Sequence, residues 1–462
     1  MRALEANTTA GNNTAVGVFA MGVNTTGDQN VAVGGNALDA NTTGSNNTAI
    51  GRKAMSDNTT GHSCVAVGHT ALDKNTTGTE NTAVGASALD ANTTGTENVA
   101  IGTSSLGANT TASNNVAVGR MAMRDNTTGS NNTALGHQAL IENETGSQNT
   151  VVGAAALDAN TTGSENTAVG YGSLTSCTTG GANTAIGYVA MQNLTTGTVN
   201  TAVGNQALTV ITTGSSNVAV GREAGDAITT GSSNTTLGTQ SLTALTTGSS
   251  NTAVGKAAGE AMTTGSKNLL LGGYTGNQNS LDLRTSSNNI VLSDGDGKAR
   301  IHINSGGSMR QLSDSGQIGL ALAQATTSGT DNAIRYHRNS DITHSGDVRF
   351  VVFSSGNVQN TNNSYAGISD EKLKDNIADA TPKLEKLKQV KVRSYNFKDE
   401  PDFKQIGVIA QELETVFPNL VETIDDQDMG LTKSVKYSVF VPILIKALQE
   451  ADAKIEALTT RI

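Results

Sequence analysis

Ser369 and Lys374 stand five residues apart in the run Ser369-Asp370-Glu371-Lys372-Leu373-Lys374-Asp375-Asn376-Ile377, a spacing that admits two chemistries. A serine becomes a nucleophile only beside a base. A lysine serves as that base when burial or a neighbouring cation lowers its pKa from about 10.4. On a continuous helix a five-residue step turns roughly 140° away from the starting face, so the two side chains meet only if Ser369 lies just outside the helix. The same position also suits a helix N-cap, its hydroxyl accepting from a first-turn amide, with Asp370 and Glu371 at the positive end of the helix dipole. Local physics favours the cap, and both readings stay open on spacing alone.

Two other groups could do chemistry. Arg335-Tyr336-His337-Arg338, with His344 nearby, combines cations and an aromatic ring as contact sites do. It reads either as a receptor-contact group or as an exposed loop or strand edge. Asp294-Gly295-Asp296-Gly297 resembles part of a calcium loop but lacks the following bidentate Glu and the flanking helices. It is expected to be a hairpin turn between Asn289-Ile290-Val291-Leu292 and Arg300-Ile301-His302-Ile303, with Val348 to Phe353 a further strand. No metal site and no cofactor site is expected.

Composition limits what can position these groups. The 462 residues include only 7 Tyr, 7 Phe and no Trp, and just three of these aromatics, Phe19, Tyr171 and Tyr188, precede residue 273. Such a stretch must bury small side chains in a regular lattice or stay disordered. A net charge of −10 argues against nucleic-acid binding. Neither a signal peptide nor an apolar run of membrane-spanning length is present, so no membrane insertion is expected. Cys64 and Cys177 fall in different repeat registers more than six coils apart, roughly 30 Å, and are expected to be free thiols.

Gly recurs every 17 residues from Gly17 to Gly272, giving 16 copies without an insertion, and so strict a period means a solenoid. Counting from the residue after the periodic Gly, register 16 is always aliphatic (Val16, Val33, Ile50 through Leu237, Val254, Leu271) and is expected to be core. Register 15, mostly Ala, would then face outward and let another surface approach. Register 4, Leu or Met in most copies (Leu38, Met55, Leu72, Met123, Leu208), is a second core column. Register 13, Asn in every copy but Cys64, stacks amides that hydrogen-bond along the stack. The Gly of register 10 and the periodic Gly offer two positive-φ sites, and each coil reads as strand, turn, strand, turn. The recurring Asn-Thr-Thr reads as turn chemistry at a fixed register rather than as glycosylation sequons. Sixteen coils stack to roughly 75 Å. A thin two-strand coil calls for self-association.

In Asn-Thr-Ala-Val-Gly and Asn-Val-Ala-Ile-Gly the repeat resembles the head repeats of trimeric bacterial autotransporter adhesins. That resemblance implies a left-handed parallel β-roll, three chains to a head, used for adhesion. The period here is longer, and no coiled-coil stalk or membrane anchor like that family's is expected.

After residue 368 the pattern changes to α+β. A helix is expected from Asp370 to about Ala380 with Leu373, Ile377 and Ala380 on one face, then a segment holding Leu384 and Leu387. Strands are expected at Val390 to Phe397 and Gln405 to Ala410, and a short helix at Gln411 to Phe417 closed by Pro418. Leu444, Leu448, Ala451, Ile455, Leu458 and Ile462 are spaced 4, 3, 4, 3, 4, a heptad seam under three heptads long that suits a trimer's base.

The nine residues from Ser369, then Ile406-Gly407-Val408-Ile409-Ala410-Gln411-Glu412-Leu413-Glu414, then Val435-Lys436-Tyr437 and the terminal helix resemble the intramolecular chaperone of endosialidase-type phage tail spikes and fibres. The resemblance implies a domain that trimerises the fibre upstream and then cuts itself off once, Ser369 acting as nucleophile and Lys374 as base at the Ile368-Ser369 bond.

The expected organisation is a mainly β homotrimer: a β-roll over 1–272, a β-rich connector and receptor-contact region over 273–368, and a chaperone with self-cleaving serine peptidase activity over 369–462. The function this implies is an adhesive fibre of a phage tail, made in the host cytoplasm, released by lysis, and contacting a host cell-surface glycan or protein. The first coil starts in phase at Ala3 and Leu4 with no virion-attachment segment before it. That implies a partial sequence, or the distal piece of a fibre joined to other tail proteins at its N-terminus. The alternatives are a glycan-degrading tail spike, which 273–368 is small to house, and a bacterial surface adhesin that keeps its chaperone. An ice-binding solenoid is disfavoured, because extended neighbours such as Thr42 and Thr43 face opposite ways.

Overall fold

The computed structural model describes residues 3–278, 281–307, 309–311, 332–338, 347–353, 358–360, 375–397, 400–426 and 430–461. The chain divides into two compact units, Met1–Leu322 and Ala323–Ile462.

In the first unit each 17-residue coil contributes one three-residue strand, from β1 (Thr14–Val16) to β16 (Leu269–Leu271). Successive strands pair in parallel and in register, Thr14 with Val31, Ala15 with Ala32 and Val16 with Val33, and so on up the stack. The expected second strand is missing, for a backbone reason. Registers 2, 4 and 12 adopt left-handed φ, as at Asn36 (58°), Leu38 (53°) and Asn46 (59°), and residues of that kind break an extended run. The rest of the coil still bonds to its neighbours: Leu38 donates its N–H to the Ala54 carbonyl (3.1 Å) and Thr42 to the Thr59 carbonyl (3.0 Å). The Thr42 hydroxyl donates to that same oxygen at 3.0 Å.

The two faces of the strand are the reverse of the sequence reading. Ala32, Ala49, Ala66 and their counterparts are wholly buried, while the aliphatic column is half-buried to exposed, Val16 at 58% and Leu135 at 48%. The interior is narrow and already receives the long side chain of register 4, wholly buried at Leu38, Met55 and Leu72. The strand residue facing that side chain must be small, so Ala points in and Val points out. Where register 4 becomes Gly, register 7 supplies the missing volume: a Cβ on Gly225 would lie 2.9 Å from Ile228 Cδ1, and one on Gly259 would lie 3.2 Å from Met262 Sδ.

Two amide ladders run inside the stack. At register 13, Asn13 Oδ1 accepts from the Asn30 N–H (2.9 Å), and Asn30 Nδ2 donates to the Gly44 carbonyl (2.9 Å). At register 7, Asn41 Nδ2 donates to Asn24 Oδ1 (2.8 Å) and to the Gly44 carbonyl (3.0 Å). The register-7 asparagines of the Asn-Thr-Thr triplets are therefore buried and committed, in line with turn chemistry. The register-10 Gly serves close approach rather than positive φ, since a Cβ on Gly44 would stand 2.3 Å from the Gly61 carbonyl oxygen; the coil of Ala112 accommodates a methyl at this register. The periodic Gly takes positive φ, +138° at Gly34. Cys64 and Cys177 are free and buried, and burial pushes both thiols up to about 11.

Beyond the sixteenth coil the hairpin of β17 (Asn277–Gln278) and β18 (Leu281–Asp282) lengthens the next turn. The stack then gains another parallel rung, β19 (Ile290–Ser293), with Leu270 opposite Val291. β20 (Ala299–Ile303) and β21 (Met309–Gln311) add to it antiparallel. The expected Asp294–Gly297 hairpin is present, and the Asp294 carboxylate is taken by Arg300 at 2.7 Å rather than pointing at a cation site. The meander covers the edge that a parallel stack would otherwise leave open.

In the second unit β22 (Asn332–Arg338), β23 (Asp347–Phe353) and β24 (Val358–Asn360) form an antiparallel sheet. Two hairpins follow, β25 (Arg393–Phe397) with β26 (Glu400–Gly407), and β27 (Val421–Asp426) with β28 (Gly430–Val435). Among the described residues three α-helices accompany them: α1 (Leu384–Leu387), α2 (Ala410–Glu414) and α3 (Phe440–Thr459). The helix expected from Asp370 to Ala380 is not formed over 375–380, where Asn376 is left-handed (56°) and Ile377 is exposed. Thr381-Pro382 disfavours helix just downstream, and Ile377 and Ala380 are exposed among the described residues.

Candidate functional site

The C-terminal unit is built to present one helix. Leu413, Phe417 and Leu420 form its buried centre, with Leu387, Val408, Val421, Val435, Phe440 and Ile443 packed around them. The helix expected over Gln411 to Phe417 is α2, which ends earlier, at Glu414, and Pro418 opens a separate 3-10 turn, Pro418–Leu420, in which Leu420 is buried. α3 lies on this centre by Phe440, Ile443 and the buried Ala447.

α3 is also tied to α1. The Glu450 carboxylate accepts from the backbone N–H groups of Lys383 (2.8 Å) and Leu384 (3.0 Å), capping α1 from another helix. These bonds hold the Glu450 carboxyl below its ordinary range. Lys454 reaches Glu385 at 2.9 Å, as does Lys388. Together they hold Glu385 down to about 2. Arg393 clamps Glu412 through two nitrogens, at 2.9 and 2.6 Å. Tyr437 Oη accepts from the Val408 N–H at 3.2 Å.

With α3 fixed in this way its opposite face is left bare. Leu444, Leu448, Ile455 and Leu458 are half to nearly three-quarters exposed (Leu448 72%), Ala451 is partly buried, and Val441 and Ile445 widen the same stripe. An apolar hollow of about 400 Å³ opens beside it, lined by Val390, Val392, Ile406, Val408, Phe440 and Leu444. The seam read from the sequence is therefore one continuous exposed face as far as Leu458, while Ile462 lies outside the described residues.

Ile368, Ser369 and Lys374 also lie outside the described residues. The Arg335, Tyr336, His337 and Arg338 backbone is on β22, with Arg335 opposite Val351, Tyr336 opposite Phe350 and a register shift between Tyr336 and His337. Among the described residues no helix is long and apolar enough to cross a membrane.

A second bare apolar surface, which the sequence reading assigned to the core, is the register-16 column of the solenoid. The signal that locates it is the Ala between two larger residues in Thr-Ala-Val, opposite a column that must be Leu or Met.

Residues 369–422 match the family model described as chaperone of endosialidase. That stretch is thus similar to chaperone domains of that kind, and it is preceded by a 16-coil parallel β-solenoid, a combination that fits a phage tail fibre or spike. Comparison with curated proteins and with solved structures returned no match.

Proposed function

We propose that this chain is an adhesive fibre protein of a phage tail, assembled as a homotrimer by its C-terminal chaperone and then separated from it by a cut at Ile368-Ser369. The observation that carries this reading is the outward aliphatic column, Val16 through Leu271, which stands half-buried to exposed on every coil. A column of that length on a lone rod would be an aggregation hazard. Only a surface with the same coil height meets it rung for rung, and a second copy of the chain has that height. Covering the exposed part of each side chain contributes on the order of 1 kcal/mol per rung. Three copies is the number the chaperone resemblance implies, and the exposed α3 face gives the chaperones their own seam.

In this reading Lys374, neutral in the assembled trimer, takes the Ser369 hydroxyl proton as Oγ attacks the Ile368 carbonyl carbon. The C–N bond breaks, the proton goes to the Ser369 nitrogen, and an ester joins Ile368 to Ser369 Oγ. Water then hydrolyses the ester, leaving an Ile368 carboxylate and a free Ser369 N-terminus. The Arg335–Arg338 group belongs to the receptor-contact region of the finished fibre, whose partner is a host surface glycan or protein.

The test combines denaturing electrophoresis with native mass measurement. Wild type should give a fragment of residues 1–368 that holds together as a trimer, and Ser369→Ala and Lys374→Ala should each give a full-length trimer. If assembled wild type stays uncut at neutral pH, Ser369 is a cap and the domain is a retained base. A monomer would sink the fibre reading itself.

A further inference from the structure

Register 1, the position just after the periodic Gly, gathers cations and aromatic rings in a single column. Arg52, Arg120, Arg222 and Lys256 all stand there, and so do His69, His137, Tyr171 and Tyr188, with no Asp or Glu among them. Every one of these eight side chains is exposed.

Parallel in-register stacking turns them into a ridge along the coil axis, with about 4.8 Å between neighbours and about 58 Å from Arg52 to Lys256. They are ordered against one another. Arg52 Nη1 donates to His69 Nε2 across one coil step (3.0 Å), and Arg120 repeats the contact with His137 (3.1 Å). Tyr171 and Tyr188 stack with ring centroids 5.7 Å apart and planes 13° from parallel. Arg222 is held by Glu223 at 2.7 Å. Ala154 occupies the rung between His137 and Tyr171, so the ridge has a notch there about two coil steps wide. One wall of the notch is an imidazole steadied by Arg120, and the other is the outer ring of the tyrosine stack.

We propose that this ridge binds a linear, carboxylate-bearing polysaccharide lying along the coil axis, with one sugar ring seated in the notch over Ala154. The proposal rests on the adhesive-fibre reading and names the class of surface glycan it would take. A pyranose ring offers an apolar face to a tyrosine. Its carboxylates and those of its neighbours find Arg52, Arg120 and Lys256 in a column free of acid. On a chain of net charge −10, an anionic polymer is drawn to a column that gathers three arginines and a lysine with no acid among them. The ligand and the site also share a one-dimensional repeat, which a globular protein partner does not.

The test uses the full chain and three probes: polygalacturonate, hyaluronate and neutral dextran, with affinity followed by calorimetry against salt. Wild type should bind an acidic polymer and not dextran, with affinity falling as salt rises. Tyr171→Ala with Tyr188→Ala should weaken binding about tenfold. Arg120→Gln should weaken it severalfold and flatten the salt dependence, while Thr145→Ala, exposed at register 9, should change nothing. These side chains are on the surface, and unchanged circular dichroism and native mass will show that the fold is kept. Binding by the ridge variants equal to wild type, equal binding of dextran, or no binding to any acidic polymer would each overturn the proposal. Adsorption of labelled wild-type protein to bacteria judges adhesion separately: cells bound equally by the ridge variants would exclude the ridge and leave adhesion standing.

Discussion

The register-7 amide ladder makes an unequal prediction for one and the same substitution at two places. In mid-ladder, Asn92 Nδ2 donates to Asn75 Oδ1 (2.8 Å) and to the Gly95 carbonyl (3.0 Å), while Asn92 Oδ1 accepts from Asn109 Nδ2 (2.9 Å). Asn92→Leu deletes all three bonds. Gly95 keeps the Asn81 amide at 2.8 Å and Asn109 keeps the Ala112 carbonyl at 3.1 Å, but Asn75 Oδ1 is left buried without a donor. At the ladder's end the situation differs. The next register-7 residue is Cys177, and Asn160 Oδ1 already has no partner. Asn160→Leu removes that orphan and creates one at Asn143 Oδ1, which loses its 2.7 Å donor, so the number of unsatisfied oxygens does not change. Leu itself fits the register, as Leu194 and Leu245 are wholly buried there. The two variants should therefore differ by the desolvation penalty of one amide oxygen, about 1–3 kcal/mol, with Asn92→Leu the worse. Hydrogen exchange read coil by coil measures this locally: amides of the coils around residue 92 should exchange roughly 5- to 150-fold faster relative to wild type than those around residue 160 in its own variant. Equal effects, or a larger effect at Asn160, would refute the view that an unpaired buried acceptor governs the ladder's energetics.

Three further outcomes are expected. Ile101→Asp with Val118→Asp, placed on the outward column, should abolish the solenoid's self-association in native mass measurement while its circular dichroism is kept, since neither side chain belongs to the coil interior. Leu448→Asp with Ile455→Asp should prevent chaperone assembly, each buried charge costing several kcal/mol in a closed seam, and an unimpaired trimer would show that the α3 face is incidental. Because Lys454 and Lys388 depress Glu385, the α1–α3 tie is fully present above the unfolded value near 4.5 and is lost as pH falls toward about 2. Carbon-detected NMR titration of that carboxyl should show it, and Lys454→Ala should move the midpoint upward.

Periodicity made the number of coils and their stacking register legible, because a 17-residue repeat without insertions sets each position on its counterpart in the next coil. Hidden from view was which side of the three-residue strand faces in. Val beside Ala reads as core on hydrophobicity alone, and the order inverts only once Leu38 and its counterparts are seen to fill the space opposite. The left-handed leucines were equally invisible, since no Gly or Asn signals them, although Gly225 and Gly259 at the same register were a trace of the demand. In the C-terminal unit the seam of α3 was readable from its 4-3 spacing. The cap that Glu450 places on α1 was not, because it joins residues 66 and 67 apart in sequence. Over 375–380 the expected helix is not formed, since the apolar stripe through Ile377 is exposed there rather than packed.

The coil-to-coil bonds also fix how the molecule would answer to force. They run parallel to the axis along which a tethered fibre is pulled, so tension loads them head-on and one coil at a time, as in unzipping, instead of spreading the load across many bonds in shear. Each released coil converts a rise of about 4.8 Å into a contour of about 58 Å, taking ~3.4 Å per residue. A single chain held by its ends should therefore lengthen in even steps of about 53 Å, up to sixteen of them, a row of sacrificial links that absorbs work before the fibre lets go.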